Sequence, residues 1–213
     1  LFFTLWPNRG GFASYEAGFD HLRQHPAVVA EVQQLMAGAV GRARHVPKPL
    51  SPALAHLPVL SHATYRRDEL LAGFDYANAT RSTAGHVSGV AWCDPTAVDA
   101  LLINLRKDER AFTPTTMYRD YALSPKLFHW ESQNATSPES PTGRRYVEHE
   151  AAGSHVVLFT REAPKGEMGT PPFLCLGTAA YVEHRGERPM AITWQLQRAM
   201  PADVVQAASA ASA

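Results

Sequence analysis

Apolar residues recur at helical spacing from Ser14 to roughly residue 43: Tyr15, Phe19 and Leu22, then Val28, Val32, Leu35, Met36 and Ala39. The pattern predicts two helices joined near Pro26, because the residue before a proline is pushed away from helical angles. Ser14 is the expected N-cap, with Glu16 and Asp20 early in the first helix. Four prolines then punctuate residues 46–58, which reads as an extended connector. From Thr64 to Leu71 the grammar is that of a short capped helix, with Thr64 as N-cap and Leu70, Leu71 and Phe74 on its buried side.

The texture changes from residue 85. Val87, Val90 to Trp92 and Ala100 to Leu105 are short apolar runs bounded by Gly and Asp-Pro, as strands are. Four further runs follow at His155 to Arg161, Phe173 to Gly177, Ala179 to His184 and Met190 to Leu196. Short strands at close spacing predict a mostly antiparallel β-sheet or open β-barrel, so the fold class is α+β with an N-terminal helical linker. The tail from about Val205 is low in complexity and is expected to fray. The organisation read from these patterns is a helical linker region (1–45), a Pro-rich connector (46–58), an α+β recognition domain (59–202) and a frayed tail (203–213).

Composition narrows the function classes. The 213 residues carry twenty basic and twenty acidic side chains, so any polyanion must be met by a local patch and not by a global field. Cys93 and Cys175 form no CxxC pair, which argues against a zinc knuckle or redox motif and suits a reducing, cytoplasmic setting. The longest apolar runs fall far short of a spanning segment, so no membrane is expected as a partner. The chain starts at Leu1, not Met, and is expected to be part of something larger.

Residues 118–149 stand out. They hold three tyrosines, a Phe128-His129-Trp130 triplet and three arginines, with many Ser and Thr residues and few aliphatic ones. Ser-Pro pairs at 124–125 and 137–138 and the Ser140 to Gly143 turn predict irregular backbone on a sheet edge or face, where binding residues tend to sit. As a nucleic-acid contact, Arg119, Arg144 and Arg145 meet phosphates. Ser132, Ser137, Thr136 and Thr142 donate, and Tyr118, Tyr121, His129, Trp130 or Tyr146 supply a stacking ring. Phe128 is the core anchor of the run.

Two other chemistries compete. Asp120, Glu131 and Gln133 form an alternative divalent-cation site, the pattern of a metal-dependent nuclease with Gln in place of the usual Lys and Lys126 as the nearest substitute. Histidines 129, 149, 155 and 184 match no structural zinc spacing. No GxxxxGK[ST] or GxGxxG is present, so the chain has no phosphate cradle of its own and no cofactor is expected.

The motif from Thr113 through Tyr118-Arg119-Asp120-Tyr121 to Leu127-Phe128-His129-Trp130-Glu131-Ser132-Gln133, with Ser137 to Gly143 and Arg145-Tyr146, closely resembles an uncharacterised bacterial domain. That domain follows the two motor lobes of DEAD/DEAH-type superfamily 2 helicases related to restriction-enzyme translocases, often with a phospholipase-D-like nuclease domain at the N-terminus. The likeness extends over about residues 57–202, through His62 to Phe74, Leu158 to Glu162 and Gly186 to Leu196. It implies a module of a defence or restriction-type DNA machine whose parent chain is an ATP-dependent helicase, and it hands over no catalytic residue.

The combined expectation is a non-catalytic DNA-recognition module, reading a modified base or a phosphorothioate-type backbone. Its expected partners are DNA, in duplex form, modified or unmodified, and the helicase motor domains of the parent chain. The expected contact set is Tyr118, Arg119, His129, Trp130, Ser132, Gln133, Ser137, Pro138, Thr142, Gly143, Arg144, Arg145 and Tyr146, with no catalytic or metal-binding residue. A small apolar dimple of Ser137-Pro138 and Pro141 to Gly143, beside the paired arginines, is one way to seat a backbone substituent. The rivals are the nuclease using Asp120 and Glu131, and a protein-docking module in which residues 1–45 carry the function.

Overall fold

The computed structural model describes residues 5–6, 9–41, 45–77, 88–106, 120–164, 166 and 169–210. Ser14 caps α1 (Tyr15–Arg23), its hydroxyl accepting from the Ala17 N–H at 3.1 Å, and Pro26 opens α2 (Pro26–Gly41). Both helices match the periodicity that predicts them. The Pro-rich segment is less open than its composition implies: β1 (Lys48–Pro49) folds back on β2 (Leu60–Ser61), with one 3-10 turn over Pro52–Leu54 between them.

Thr64 is not a helix cap. With Tyr65 it forms a two-residue strand, β3 (Thr64–Tyr65), and α3 (Arg67–Gly73) starts after Arg66, whose N–H donates to the Glu69 carboxylate at 2.8 Å. Then come β4 (Val90–Cys93), β5 (Val98–Asn104), β6 (Tyr121–Ala122), β7 (Leu127–Glu131), α4 (Pro141–Glu148), β8 (His155–Arg161), β9 (Phe173–Arg185), β10 (Ala191–Leu196) and α5 (Ala202–Ala210). Val87 lies outside the described residues.

Beside the two-stranded β1-β2 pair, the other eight strands form one open sheet in the order β4-β5-β8-β9-β10-β7-β6, with β3 added against the start of β9. Every pairing is antiparallel except β5 with β8, which the crossover through β6, β7 and α4 makes parallel. The fold is thus α+β with a mostly antiparallel, open sheet.

Alternation along the strands builds two cores. Leu101, Ile103, Val156, Leu158, Phe128, Trp130, Ile192 and Trp194 face one side, beneath α4 and α5. Val98, Ala100, Leu102, Val157, Phe159, Phe173 and Cys175 face the other, beneath α3 and Leu50, Leu54 and Leu57 of the Pro-rich segment. Cys93 and Cys175 are both buried in this second core.

Three local expectations change. The runs 173–177 and 179–184 are one long strand, because Gly177 turns to φ 105 and absorbs a bulge against β8 without ending the pairing. Residues 140–143 begin α4 and are not a free turn. The Ser140 hydroxyl accepts from the Gly143 N–H at 3.0 Å, and Pro141 sits at the first helical position, where its missing N–H costs nothing. Residues 202–210 form a helix whose Ala208 is buried in the first core, so the frayed tail is not seen over that range.

Candidate nucleic-acid interface

Most of the aromatic run turns inward. On β7 the sequence Leu127-Phe128-His129-Trp130-Glu131 alternates in burial, sending Phe128 and Trp130 into the first core. There Trp130, Tyr146 and Tyr181 surround Trp194, with ring centroids 6.5, 6.2 and 6.3 Å away, and His149 approaches it at 5.8 Å. Trp130 and Tyr146 therefore hold α4 and the sheet together, and no base reaches them while the core is closed. The sequence-level assignment of these two rings to stacking is corrected on that ground.

The polar members are similarly engaged. Ser132 is buried, its hydroxyl accepting from the Met190 N–H at 2.9 Å. Ser137 is buried in the turn before α4, where its carbonyl accepts from the Ser140 hydroxyl at 2.7 Å. Gly143 is required there: a Cβ built on it falls 1.9 Å from the Ser137 carbonyl oxygen. Of the residues expected to seat a backbone substituent, Ser137 and Gly143 are thus buried in this turn. Pro138 and Thr142 are half-buried.

Arg145 is a structural residue. Its Nε and NH2 donate to Asp99 on β5 at 2.5 and 2.9 Å, and its guanidinium lies 4.3 Å from the centre of the Trp92 ring. Burial lifts the Asp99 carboxyl above its usual value while Arg145 pulls it down. The bidentate geometry favours the ionised pair. Burial opposes the charge on Arg145, but the Asp99 carboxylate leaves its pKa raised. Arg144, one residue earlier on the helix, is exposed. Tyr118 and Arg119 lie outside the described residues.

What stays accessible is the second face of β10, β7, β6 and the 179–185 part of β9, where neither core cluster has a member among the described residues. In register across it stand Tyr121, His129, Thr193 and Glu183, then Glu131, Ala191 and Arg185 in the next row. Tyr121 and His129 stack at 4.7 Å with planes 29° apart, presenting a two-ring platform. Partial burial lowers the His129 pKa, with Glu131 and Asp120 opposing and Arg185 assisting, so the imidazole is neutral at neutral pH. Gln195 is exposed on the same face, and exposed Gln133 donates to the Ser88 hydroxyl at 2.9 Å. The platform has two acids to one arginine, so it suits the flat face of a base better than a phosphate.

The proposed cation pair is used differently. Asp120 is buried and its carboxylate accepts from the Glu131 N–H at 3.0 Å, fixing the turn into β6. Gln133 lies beyond the end of β7, so it does not alternate with Glu131 on one strand face. Among the described residues, no group of three or more His, Cys, Asp or Glu side chains converges as metal ligands do.

Tyr121 was legible in the sequence as one of several rings, but its pairing with His129 is not, since it depends on the register of β6 against β7. Sequence reasoning passed over a second feature altogether. Arg66, Arg67 and Arg161 meet round one recess between α3, the end of β8 and the start of β9. Their spacing of about a hundred residues carries no local signal.

Among the described residues, no helix is long and apolar enough to cross a membrane. No curated protein matches the chain. A family model does match, over residues 60–208, which takes in the whole sheet, α3, α4 and most of α5. The chain belongs to the family described as a domain of unknown function, DUF3427.

Proposed function

We propose that the domain is a non-catalytic DNA-recognition module, appended to the motor lobes of a restriction-type helicase and selecting modified DNA. The observation that carries the reading is the open sheet face with the stacked Tyr121 and His129 rings, flanked by Thr193 and Gln195. A neutral ring pair on a rigid sheet offers a base a preformed stacking surface, worth about 1–3 kcal/mol per base. Side-chain amides and hydroxyls beside it supply hydrogen bonds to base edges. The helicase context comes from the sequence resemblance, and it supplies the reason for a reader: a translocase without sequence preference gains selectivity from an appended domain.

The test is fluorescence anisotropy with matched short duplexes, unmodified, base-modified or phosphorothioate-modified, each at two salt concentrations. Preferential binding to one modified duplex supports the reading and names the target class. Equal affinity for all three removes the claim of selectivity, and no binding at either salt removes DNA recognition.

The N-terminal helices favour a second role for their own segment. Leu35, Met36 and Val40 on α2 are 63%, 52% and 77% exposed, an apolar surface that a helicase motor domain of the parent chain is suited to cover.

A further inference from the structure

Where the Pro-rich segment stops covering the second face of the sheet, a cavity of about 440 Å³ lies between its 3-10 turn, the turn from α4 into β8, and strands β9 and β10. Pro52, Ala53 and Ala180 give it small apolar walls, while Thr178, Gln195 and Gln197 add uncharged polar groups. Among the described residues, no lysine or arginine lines it, and its one carboxylate, Glu150, is exposed. The volume is that of a small-ligand site, and the lining disfavours an anion.

The fold sets these polar groups in place. The buried Thr178 hydroxyl donates to the Gln197 amide oxygen at 2.7 Å, and the Gln197 backbone N–H donates to the Thr178 carbonyl at 3.0 Å, so the side-chain amide is pinned with its N–H groups left as donors. His149, on the inner wall, is buried with its Nδ1 2.9 Å from the Tyr146 carbonyl. A carbonyl only accepts, so Nδ1 carries the proton and Nε2 of the neutral ring is an acceptor. Burial first, and then His149, lower the pKa of His155, whose ring is neutral at neutral pH. Ser51 also lines the cavity, and its buried hydroxyl has no hydrogen-bond partner among the described residues. A buried hydroxyl left unpaired points to a polar occupant. The cavity also adjoins the ring platform. Gln195 lines it, pairs with Ala180 on one side and Leu127 on the other, and stands two residues from Thr193, whose partner His129 stacks on Tyr121. Two residues of strand span about 7 Å, which two nucleotide steps of about 3.4 Å cover.

We propose that this cavity receives a single uncharged nucleobase, turned out of the duplex beside the bases that meet the ring platform. The edge of a base carries donors and acceptors together, as the Gln197 amide and the His149 imidazole require, and its flat body fits between small apolar walls. The assignment rests on the DNA-recognition reading and narrows it: the feature selected is a base and not a backbone substituent, because no cation lines the cavity to hold a phosphate. A base whose pairing is already weakened costs least to turn out, which gives the site a source of selectivity before any contact is made.

Two arms test it on the full chain, with circular dichroism confirming the fold of each variant. In the first, the side-chain amide signals of Gln195 and Gln197 are followed in ¹H–¹⁵N spectra as adenosine, guanosine, cytidine or thymidine is added. At least one nucleoside is expected to shift them saturably in the wild type and not in Ala180→Phe, which fills the cavity from a position in neither core. Gln197→Leu, read on the Gln195 signal, is expected to bind about 2- to 10-fold more weakly, and it carries both arms should Ala180→Phe fail to fold. In the second arm, duplexes carry one 2-aminopurine, moved base by base along the strand, whose emission rises when it leaves the stack. The rise expected at one position in the wild type is lost in Ala180→Phe, while the duplex still binds through the platform. Duplexes that bind with no rise at any position, together with amide signals indifferent to every nucleoside, overturn the cavity and leave DNA recognition by the platform standing. A rise or shift unchanged in both folded variants also overturns it, because the base then lies elsewhere. Nucleoside binding without any duplex binding does the reverse: the cavity stands, its ligand is a free nucleoside, and the DNA reading falls.

Discussion

Replacing Asp99 by alanine tests whether Arg145 belongs to the fold or to a ligand. The carboxylate is 1% exposed and receives two hydrogen bonds from Arg145, whose side chain is 23% exposed. Breaking a buried ion pair from one side costs about 3–5 kcal/mol, because the remaining charge keeps its desolvation penalty and loses its partner. The partial exposure of Arg145 lets water recover some of that, so the expected loss is near 3 kcal/mol. For a domain of this size that lowers the melting temperature by roughly 6–12 °C, readable by calorimetry or by urea unfolding followed in tryptophan fluorescence. Arg145→Ala is expected to lose a similar amount, since it strands Asp99 in the core and uncovers Trp92. Asp99→Leu combined with Arg145→Met is expected to fall within about 1 kcal/mol of the wild type, as apolar replacements of buried pairs do. An unchanged urea midpoint in Asp99→Ala, with Arg145→Ala reducing only the salt dependence of DNA binding, would refute the assignment and return Arg145 to the interface.

Other consequences follow from the same core. The Tyr146 hydroxyl is buried and has no hydrogen-bond partner among the described residues, so Tyr146→Phe is expected to leave stability unchanged or raise it by up to about 1 kcal/mol, whereas Tyr146→Ala costs about 3–5 kcal/mol; a large loss in the Phe variant contradicts this. Gly143→Ala drives a methyl against the Ser137 carbonyl and is expected to cost at least about 2 kcal/mol in urea unfolding, and a neutral result means that this turn is not as tight as drawn. His62, buried at φ 64, has its pKa lowered to about 4 by burial first and then by Arg198 and His45. Its folded pKa lies below the unfolded one, so its contribution is complete above pH 6.5 and is lost as the pH falls toward 4, with a ceiling of about 3 kcal/mol. Melting temperatures across that window should therefore fall less steeply in His62→Asn, which tolerates the left-handed backbone, and parallel curves would count against the assignment.

The sequence made the elements legible wherever periodicity was strong. The helices after Ser14 and Pro26, and the strands at 98–104, 155–161 and 191–196, follow from spacing alone. It misled where a local signal has two outcomes. Ser140-Pro141 starts turns and helices alike, and only the helical bonds after Gly143 decide. Gly177 reads as a strand end, yet a positive φ can equally sit in a bulge within a continuing strand. For the interface, the error was one of face. In Leu127 to Glu131 the period of two separates Phe128 and Trp130 from His129, so the rings could not all have faced a ligand. Which set faces out depends on where α4 packs, and that is long-range. Arg145 next to Arg144 shows the same limit, because helix geometry turns adjacent arginines apart and Asp99, distant in sequence, claims one of them.

The most direct measurement of the central claim is the binding of the modified-duplex panel to wild type and to Tyr121→Ala and His129→Ala, with circular dichroism confirming that each variant is folded. Both rings are half-buried on an open face, so their removal leaves the two cores intact. Loss of one stacked base at about 1–3 kcal/mol predicts a drop of roughly 5- to 150-fold in affinity for the preferred duplex. Folded variants that bind the whole panel as the wild type does would contradict the account.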